Sequence, residues 1–423
     1  MRSRLRRYAS GLRALVRWLR AVADRIFEEP ADDALTVAVD ITPFWENLTG
    51  VGWYLHQLLD QLKDEEGLRI RLYGPTMFID PGDPPAVAPL PVGRAIDHLY
   101  FEVPDDLLLS RGRIIPILRR VEPWLVAAAG DRLLFAPNFV LPEKFCRARG
   151  RLVMTIHDRA MRRFPWTLEQ ATLDSLNDHL DRNIRQAAAV ITVSRTVRQE
   201  LIDEGEIEAE RVTAIHHGPG HLTSIAEGRL PGGLPQRFAL HVGTIEPRKN
   251  LETLVAVWRR LTQVMPDAPA LVLCGGSGWR SDDLRRQLAE AEKEGWVREL
   301  GYVDDASLAE IYKRAILLVS PSLYEGFGLP VIEGLAAGLP VICSDIPVFR
   351  EVAGDAAVFV AATDVDAWLA QVQLLLADEE RRRRLSDLAL ARAREFDWRR
   401  AADETLAVWR MVASRDSAFR GSR

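Results

Sequence analysis

From Leu35 onward the sequence alternates short apolar runs with longer amphipathic stretches, a rhythm that confines the chain to the strands and helices of parallel α/β sheets. "LTVAVD" (35–40), "LRIRLYG" (68–74), "LLFAP" (133–137), "LVMTIHD" (152–158), "AVITVS" (189–194) and "RVTAIHH" (211–217) read as strands of one sheet. Residues 218–237, "GPGHLTSIAEGRLPGGLPQR", break the rhythm: glycine and proline are dense there and helical periodicity is lost, which marks a linker. A second set follows, "FALHVG" (238–243), "ALVLCGG" (270–276), "VRELGYV" (297–303), "ILLVSPS" (316–322) and "PVICSD" (340–345), with helical stretches at 250–264, 281–294 and 305–314. In sheets of this kind each crossover returns the chain to the same edge, so the loops after the strands gather on one side. Two such domains facing each other would enclose a cleft.

The length agrees, because 423 residues exceed what one ordinary core organises and suit two domains. The spacing predicts an N-terminal helix within 1–30, a first Rossmann-like domain over 31–218, a second over 219–395, and a tail over 396–423. That tail, "EFDWRRAADETLAVWRMV" from 395, is amphipathic through Phe396, Trp398, Ala402, Leu406 and Trp409, so another element must cover its apolar face. Five prolines between Asp80 and Val92 predict a surface loop.

A composition of 48% hydrophobic and 27% charged residues is globular, and no apolar run reaches the roughly 18 residues of a bilayer crossing. A net charge of −5 gives no chain-wide attraction for nucleic acid, so none is expected as a partner. Cys146, Cys274 and Cys343 lie far apart without a CxxC or Cys/His pairing, and read as buried thiols of a reducing compartment.

The densest chemistry lies in "SLYEGFGLPVIEGLAAGLPVICSD" (322–345), where Glu325 and Glu333 flank a glycine turn. Gly326, Gly328 and Pro330 preclude one continuous helix. The pattern predicts a loop after the strand and a helix with Pro330 at its first position, running through Glu333 to Ala337. Free N–H groups and the positive dipole end there suit a phosphate or pyrophosphate. Glu333, one turn inside, can accept hydrogen bonds from a vicinal diol such as a ribose, and Glu325 reaches the other side of the same pocket. The plain alternative is a dipole-complementing Glu333 and a loop charge at 325. Arg248 and Lys249, in "TIEPRKN" after another strand of the same sheet, lie on the same predicted edge and could supply a fork and a point charge to a pyrophosphate. Isolated, they would read as solvated surface charges.

Together "HVGTIEPRKN", "LGYVDD" and "SLYEGFGLPVIEGLAAGLPVICSD" resemble glycosyltransferase family 4, retaining enzymes of the GT-B fold, and within it the bacterial mannosyltransferases of polysaccharide assembly. The resemblance covers most of 35–412. It implies an α/β, GT-B fold: two Rossmann-like domains with parallel sheets facing across a cleft and a C-terminal helix crossing back to the N-terminal domain. It implies that Glu325 holds donor-sugar hydroxyls, that the backbone of Gly326, Phe327, Gly328 and Leu329 meets sugar and phosphate, and that Glu333 binds ribose. Arg248 and Lys249 would stabilise the departing nucleotide diphosphate, while Gly275 and the backbone at Tyr302 and Val303 sit where the family holds the base. "TGVGWY" (49–54) is similar to the family's first strand-to-helix loop, with Gly50 and Gly52 near the donor. His157 of "TIHD" resembles the contact to the transferred sugar, and Asp158 follows it; alone, these would read as a packed histidine and a loop cap. Thr244 stands where many members carry an arginine, a charge that Arg248 would replace. "IHHGPGHL" departs from the usual turn, and His216 and His217 receive no role.

The implied activity is hexose transfer from a nucleotide-diphosphate sugar, GDP-mannose by resemblance, to a glycan or glycolipid hydroxyl, with no cofactor and no metal. An epimerase or phosphorylase of the same fold, or a non-catalytic nucleotide-sugar-binding protein, are the alternatives. Residues 1–29 lie outside the resemblance. Up to Arg25 they carry eight arginines and one acid, Asp24, while Leu5, Tyr8, Leu12, Leu15, Leu19, Val22 and Ile26 recur at helical spacing. This basic amphipathic helix either binds an anionic membrane surface through residues 1–27 or packs on a protein surface. The corresponding location is the cytoplasm, with peripheral attachment to the inner face of the cytoplasmic membrane.

Overall fold

The computed structural model describes residues 2–28, 34–45, 50–79, 90–104, 111–129, 131, 133–141, 145, 151–168, 170–220, 229–276, 278 and 282–420. The chain opens with α1 (Arg2–Ile26), β1 (Leu35–Asp40), α2 (Gly50–Leu62), β2 (Leu68–Tyr73), β3 (Phe78–Ile79), β4 (Ile96–His98) and β5 (Phe101–Glu102). It continues through α3 (Arg111–Ala128), β6 (Leu133–Ala136), β7 (Arg151–Ile156), α4 (Ala160–Arg163), α5 (Gln170–Gln186), β8 (Ala189–Thr192), α6 (Arg195–Asp203) and β9 (Val212–Ala214). The second half contains β10 (Phe238–Val242), α7 (Leu251–Val264), β11 (Ala270–Cys274), α8 (Asp282–Lys293), β12 (Val297–Gly301), α9 (Asp305–Arg314), β13 (Leu317–Ser320) and α10 (Leu329–Ala336). It closes with β14 (Val341–Ser344), α11 (Pro347–Ala353), β15 (Ala357–Val360), α12 (Val365–Ala377), α13 (Glu379–Ala393) and α14 (Trp398–Arg420).

Two parallel sheets result, ordered β4-β2-β1-β6-β7-β8-β9 and β12-β11-β10-β13-β14-β15, with β3 and β5 forming a separate ribbon. Their central strands are nearly all buried, as expected of sheets covered by helices on both faces, while the edge strands β4, β9, β12 and β15 are only partly buried. The sequence rhythm missed the short edge strands β4 and β15. Apolar clusters line both faces of each sheet.

The tail behaves as its periodicity requires. α14 runs back along the first sheet, burying Ala402, Leu406 and Trp409 beside α2, with Trp409 5.0 Å from Phe135. Trp398 donates through Nε1 to the Pro219 carbonyl at 2.8 Å, locking the start of α14 to the chain between the sheets. This is the crossover helix of the expected GT-B architecture. Cys274 and Cys343 are buried free thiols; Cys146, most of the proline-rich 80–92 stretch and 221–228 lie outside the described residues.

α1 docks on the first domain, so packing on a protein surface holds for part of it. Val22 and Ile26 are buried in the cluster that holds Phe78, Phe101 and Ile114. Trp18 lies 5.9 Å from Phe78 and donates to the Glu102 carbonyl at 3.1 Å. The buried Arg71 of β2 closes the helix end, donating to the carbonyls of Ile26 at 3.1 Å and Glu28 at 2.7 Å, which supplies partners to otherwise orphaned acceptors. The single apolar series read from the sequence divides: Val22 and Ile26 are buried, Leu12 and Leu19 are exposed, and Trp18, outside the series, packs on the core.

Candidate functional site

Because the second sheet is parallel, the loops after β12, β11, β10 and β13 form one row along its C-terminal edge. They bring Tyr302 and Val303, Gly275, Thr244 with Arg248 and Lys249, and the 325–329 turn into sequence along that row. Arg248 and Lys249 sit on the single turn Pro247–Lys249, which Asn250 ends at φ 53°, a left-handed conformation that asparagine tolerates. Asn250 donates to the carbonyls of Pro321 at 3.1 Å and Ala362 at 2.8 Å, and the Leu323 amide donates to the Arg248 carbonyl at 2.9 Å. The loop bearing the two cations is thereby stitched to the glycine turn.

Glu325 is the centre of the cluster. Its Oε1 accepts from Lys249 Nζ at 2.5 Å and Ser322 Oγ at 2.8 Å, and its Oε2 from Arg248 Nη1 at 2.8 Å. Arg248 also donates to the Tyr324 carbonyl at 2.9 Å and to Glu246 at 2.7 Å. Burial alone would push the Glu325 carboxyl up, but the Lys249 ammonium and Arg248 guanidinium outweigh it and hold the group at about 2. Burial likewise opposes the charge on Arg248, and Glu325, Asp158 and Glu246 more than offset it, so its pKa is raised. The fork of Arg248 is therefore committed to carboxylates and a carbonyl, whereas Lys249, among the described residues, uses one of its three donors.

The glycine turn works by close approach. A Cβ on Gly326 would overlap the carbonyl oxygen of His157 across the cleft, so only glycine lets the two edges meet there. Gly328, at φ 96°, caps α10, which starts at Leu329 and places Pro330 second rather than first. The Phe327 side chain is buried against His216, His217 and Phe396, so this residue can offer a ligand only its backbone. Glu333 lies one turn into α10, and its Oε2 accepts from Tyr312 OH at 2.9 Å. Tyr302 is 74% exposed, and Val303 packs on the core.

On the facing edge, "TGVGWY" is not a loop beyond Gly50: Gly50 and Gly52 occupy the first turn of α2, a correction that makes this a second helix start facing α10, with Gly50 beside Leu329. His157 follows β7, and its Nε2 donates to the Pro137 carbonyl at 2.8 Å, leaving Nδ1 as acceptor. Burial lowers its pKa, partly offset by that bond and by Asp158. Asp158 Oδ1 accepts from the Ala160 amide at 2.9 Å, so one oxygen braces the start of α4.

Sequence reasoning missed the residues that join the domains. Tyr324 accepts at its hydroxyl from the Arg159 amide at 3.1 Å and donates to Glu200 at 2.8 Å, and Ser194 Oγ donates to the Gly326 carbonyl at 2.7 Å. Glu351 accepts from the amides of Arg195 and Thr196 at the start of α6 and from His216 Nε2 at 2.6 Å. His217 is buried and stacked between Tyr54 at 4.8 Å and Trp398 at 5.1 Å, with both ring nitrogens unpartnered among the described residues. Tyr324 adjoins Glu325 in sequence, which was a usable signal; nothing local distinguishes His217.

Comparison with known proteins agrees with the two-sheet fold. Residues 48–218 match the family described as Glycosyltransferase Family 4, and 231–391 match Glycosyl transferases group 1. The chain is 30% identical to the O-antigen chain mannosyltransferase B of Escherichia coli over 378 residues, spanning 86% of this chain and 97% of that one. It is 27% identical to the phosphatidyl-myo-inositol mannosyltransferase of Mycolicibacterium smegmatis over 73% of this chain and 82% of that one. Among solved structures, sucrose-phosphate synthase from Thermosynechococcus elongatus superposes with a TM-score of 0.68 over 90% of this chain and 99% of that chain, at 23% identity.

Proposed function

The chain belongs to glycosyltransferase family 4, and from that membership and the cluster at the second sheet edge we propose that it moves mannose from GDP-mannose to a hydroxyl of a lipid-linked polysaccharide, retaining the anomeric configuration. The observation that carries this reading is the meeting of Lys249, Glu325 and the α10 N-terminus at one point, opposite His157. A diphosphate set against the N–H groups of 326–329 would lie where the dipole and the ammonium both favour negative charge. Glu325 would hold sugar hydroxyls, Glu333 the ribose, and His157 Nδ1 would accept from a sugar hydroxyl.

In the transfer step the bond from the anomeric carbon to the β-phosphate oxygen breaks as the acceptor oxygen bonds on the same face. The acceptor's proton passes to the departing phosphate oxygen. The Lys249 ammonium and the start of α10 would stabilise charge on that oxygen more in the transition state than in the ground state. The acceptor class follows the mannosyltransferases of O-antigen and phosphatidyl-myo-inositol named above.

The decisive experiment offers GDP-mannose, UDP-glucose, UDP-N-acetylglucosamine and ADP-glucose with lipid-linked acceptors, reads nucleotide release, and assigns the product anomer by NMR in the presence of EDTA. Release from GDP-mannose with an α-linked product is expected. Preference for another donor, inversion, or loss of activity with EDTA overturns the corresponding part.

A further inference from the structure

We propose that α1 fastens the protein to an anionic bilayer surface through an apolar stripe that stays outside after the helix has docked. Packing and membrane contact, opposed as alternatives for this helix, use different faces of it. Trp18, Val22 and Ile26 face the domain core. Next to them Leu12, Val16, Leu19 and Phe27 are 51%, 57%, 40% and 46% exposed, at spacings of four, three and eight that keep them on one side. Arg13, Arg17 and Arg20, all exposed, run alongside this stripe.

A second helix repeats the pattern. On α3, Ile117, Val121 and Trp124 are 52%, 42% and 62% exposed, again at spacings of four and three, with exposed Arg119 and Arg120 beside them. Both helices border the β3–β5 ribbon: Trp18 of α1 meets Phe78 of β3 and the Glu102 carbonyl of β5, and α3 contacts β3. The two stripes therefore flank one small sheet. Apolar rows on neighbouring helices with arginine rims and an exposed tryptophan match the headgroup boundary of a bilayer, where the apolar row enters the acyl region and guanidinium groups pair with phosphates.

Charge selects this occupant. Up to Arg25 the helix has eight arginines and one acid in a chain of net charge −5, so everything after it is strongly acidic. An anionic membrane attracts the helix and repels the rest, which also fixes orientation. A second copy meeting this face across a two-fold axis would bring arginines against arginines. The surface goes beyond the sugar-transfer reading and rests on it only for what it would do there, which is to present a lipid-linked acceptor.

The test is flotation of the full chain with phosphatidylcholine vesicles, with and without phosphatidylglycerol. Binding is expected only to the anionic vesicles, fading with salt. Each of Arg13→Gln, Arg17→Gln and Arg20→Gln should weaken it about fivefold, the equivalent of ~1 kcal/mol per arginine at the surface. Val16→Glu with Leu19→Glu should abolish it while thermal melting stays at the wild-type temperature. Truncation at Ala31 is the wrong variant, because it would uncover Phe78 and strand Arg71. Should the double glutamate variant fail to fold, the arginine series decides alone. No binding by the wild type, binding unchanged in the variants, or light scattering that shows the variants splitting a dimer overturns the proposal. Nucleotide release on a soluble acceptor should be unchanged throughout, so a failure here is distinguishable from a failure of the transferase reading.

Discussion

The two sheet edges that face each other across the cleft are built from opposite chemistry. The second sheet's edge concentrates ions: Arg248 and Lys249 against Glu246 and Glu325, all largely withdrawn from water. The first sheet's edge is mainly aromatic and presents no cation around His217: Tyr54, His157 and His217 pack together, Trp398 of α14 stacks on His217, and Asp158 is the acid beside His157. Burial lowers the pKa of both histidines, so neither brings a positive charge to that side near neutral pH. The difference teaches a division of labour: positive charge is held ready where a diphosphate would depart, and donors and acceptors without it stand where hydroxyl groups would be sorted.

The comparison breaks most visibly at Glu325. Replacing it with alanine leaves Lys249 and Arg248 buried beside each other without their shared carboxylate, and losing one partner of a buried pair costs about 3–5 kcal/mol. Urea denaturation at pH 7 should show that loss. A change smaller than that of an ordinary surface substitution would mean water already compensates the cations, and the ionic edge would not be a prearranged one.

Lys249→Ala is next in size and addresses chemistry rather than folding. If Lys249 stabilises charge on the leaving phosphate, kcat should fall by about 2.7–4 kcal/mol of transition-state stabilisation, the range for a preorganised donor. Donor KM should move much less. Wild-type turnover would place the electrostatic work elsewhere, with Arg248 the remaining cation on that loop.

Glu333 sharpens the contrast within the ionic edge, since its neighbour is the neutral Tyr312 hydroxyl at 2.9 Å. Glu333→Ala should weaken nucleotide binding by about 1.5–3 kcal/mol, the value of a hydrogen bond to a charged group, read by calorimetry with GDP. Tyr312→Phe removes only an orienting bond and should cost about 0.5–1.5 kcal/mol. Equal affinity in the Glu333 variant would leave the ribose without its assigned partner.

Much of the ionic edge was legible in the sequence and little of the aromatic one. Glu325, Glu333, Arg248 and Lys249 stand beside glycine, proline and strand ends, where local rules dictate a turn or a helix start, so spacing carries information about place. Even there the sequence could not show that Arg248 spends its fork on Glu325 and the Tyr324 carbonyl, because those bonds join two loops whose residues lie 77 and 76 positions apart in the chain. The alternation of strands and helices, and the tail crossing back over the first sheet, were readable for the same local reasons. His217, Ser194, Glu200 and Glu351 were not, since each gains its meaning from a residue of the other half of the chain. The helix α1 was read as amphipathic, but a helix with two apolar faces cannot be divided into inner and outer sides by periodicity alone.

The smallest effect at neutral pH is expected at His217. The ring is stacked between Tyr54 and Trp398 and its nitrogens find no partner among the described residues, so phenylalanine, similar in shape, removes buried polar atoms and should shift stability at pH 8 by less than about 1.5 kcal/mol. The pH dependence should change more. Burial first, then His157 and His216, hold the folded His217 well below its ordinary value of 6.5. Below pH 6.5 the unfolded chain takes up a proton that the folded ring refuses, so wild-type stability declines as the solution is acidified. His157, also lowered, and His241, lowered to about 4 by burial, contribute with the same sign and survive the substitution. His217→Phe should therefore flatten, not abolish, the slope between pH 6.5 and 4.5, by up to about 1.4 kcal/mol per pH unit for one proton. Parallel curves for variant and wild type would show that His217 is protonated in the fold, and the cation-free character assigned to the first edge would fail.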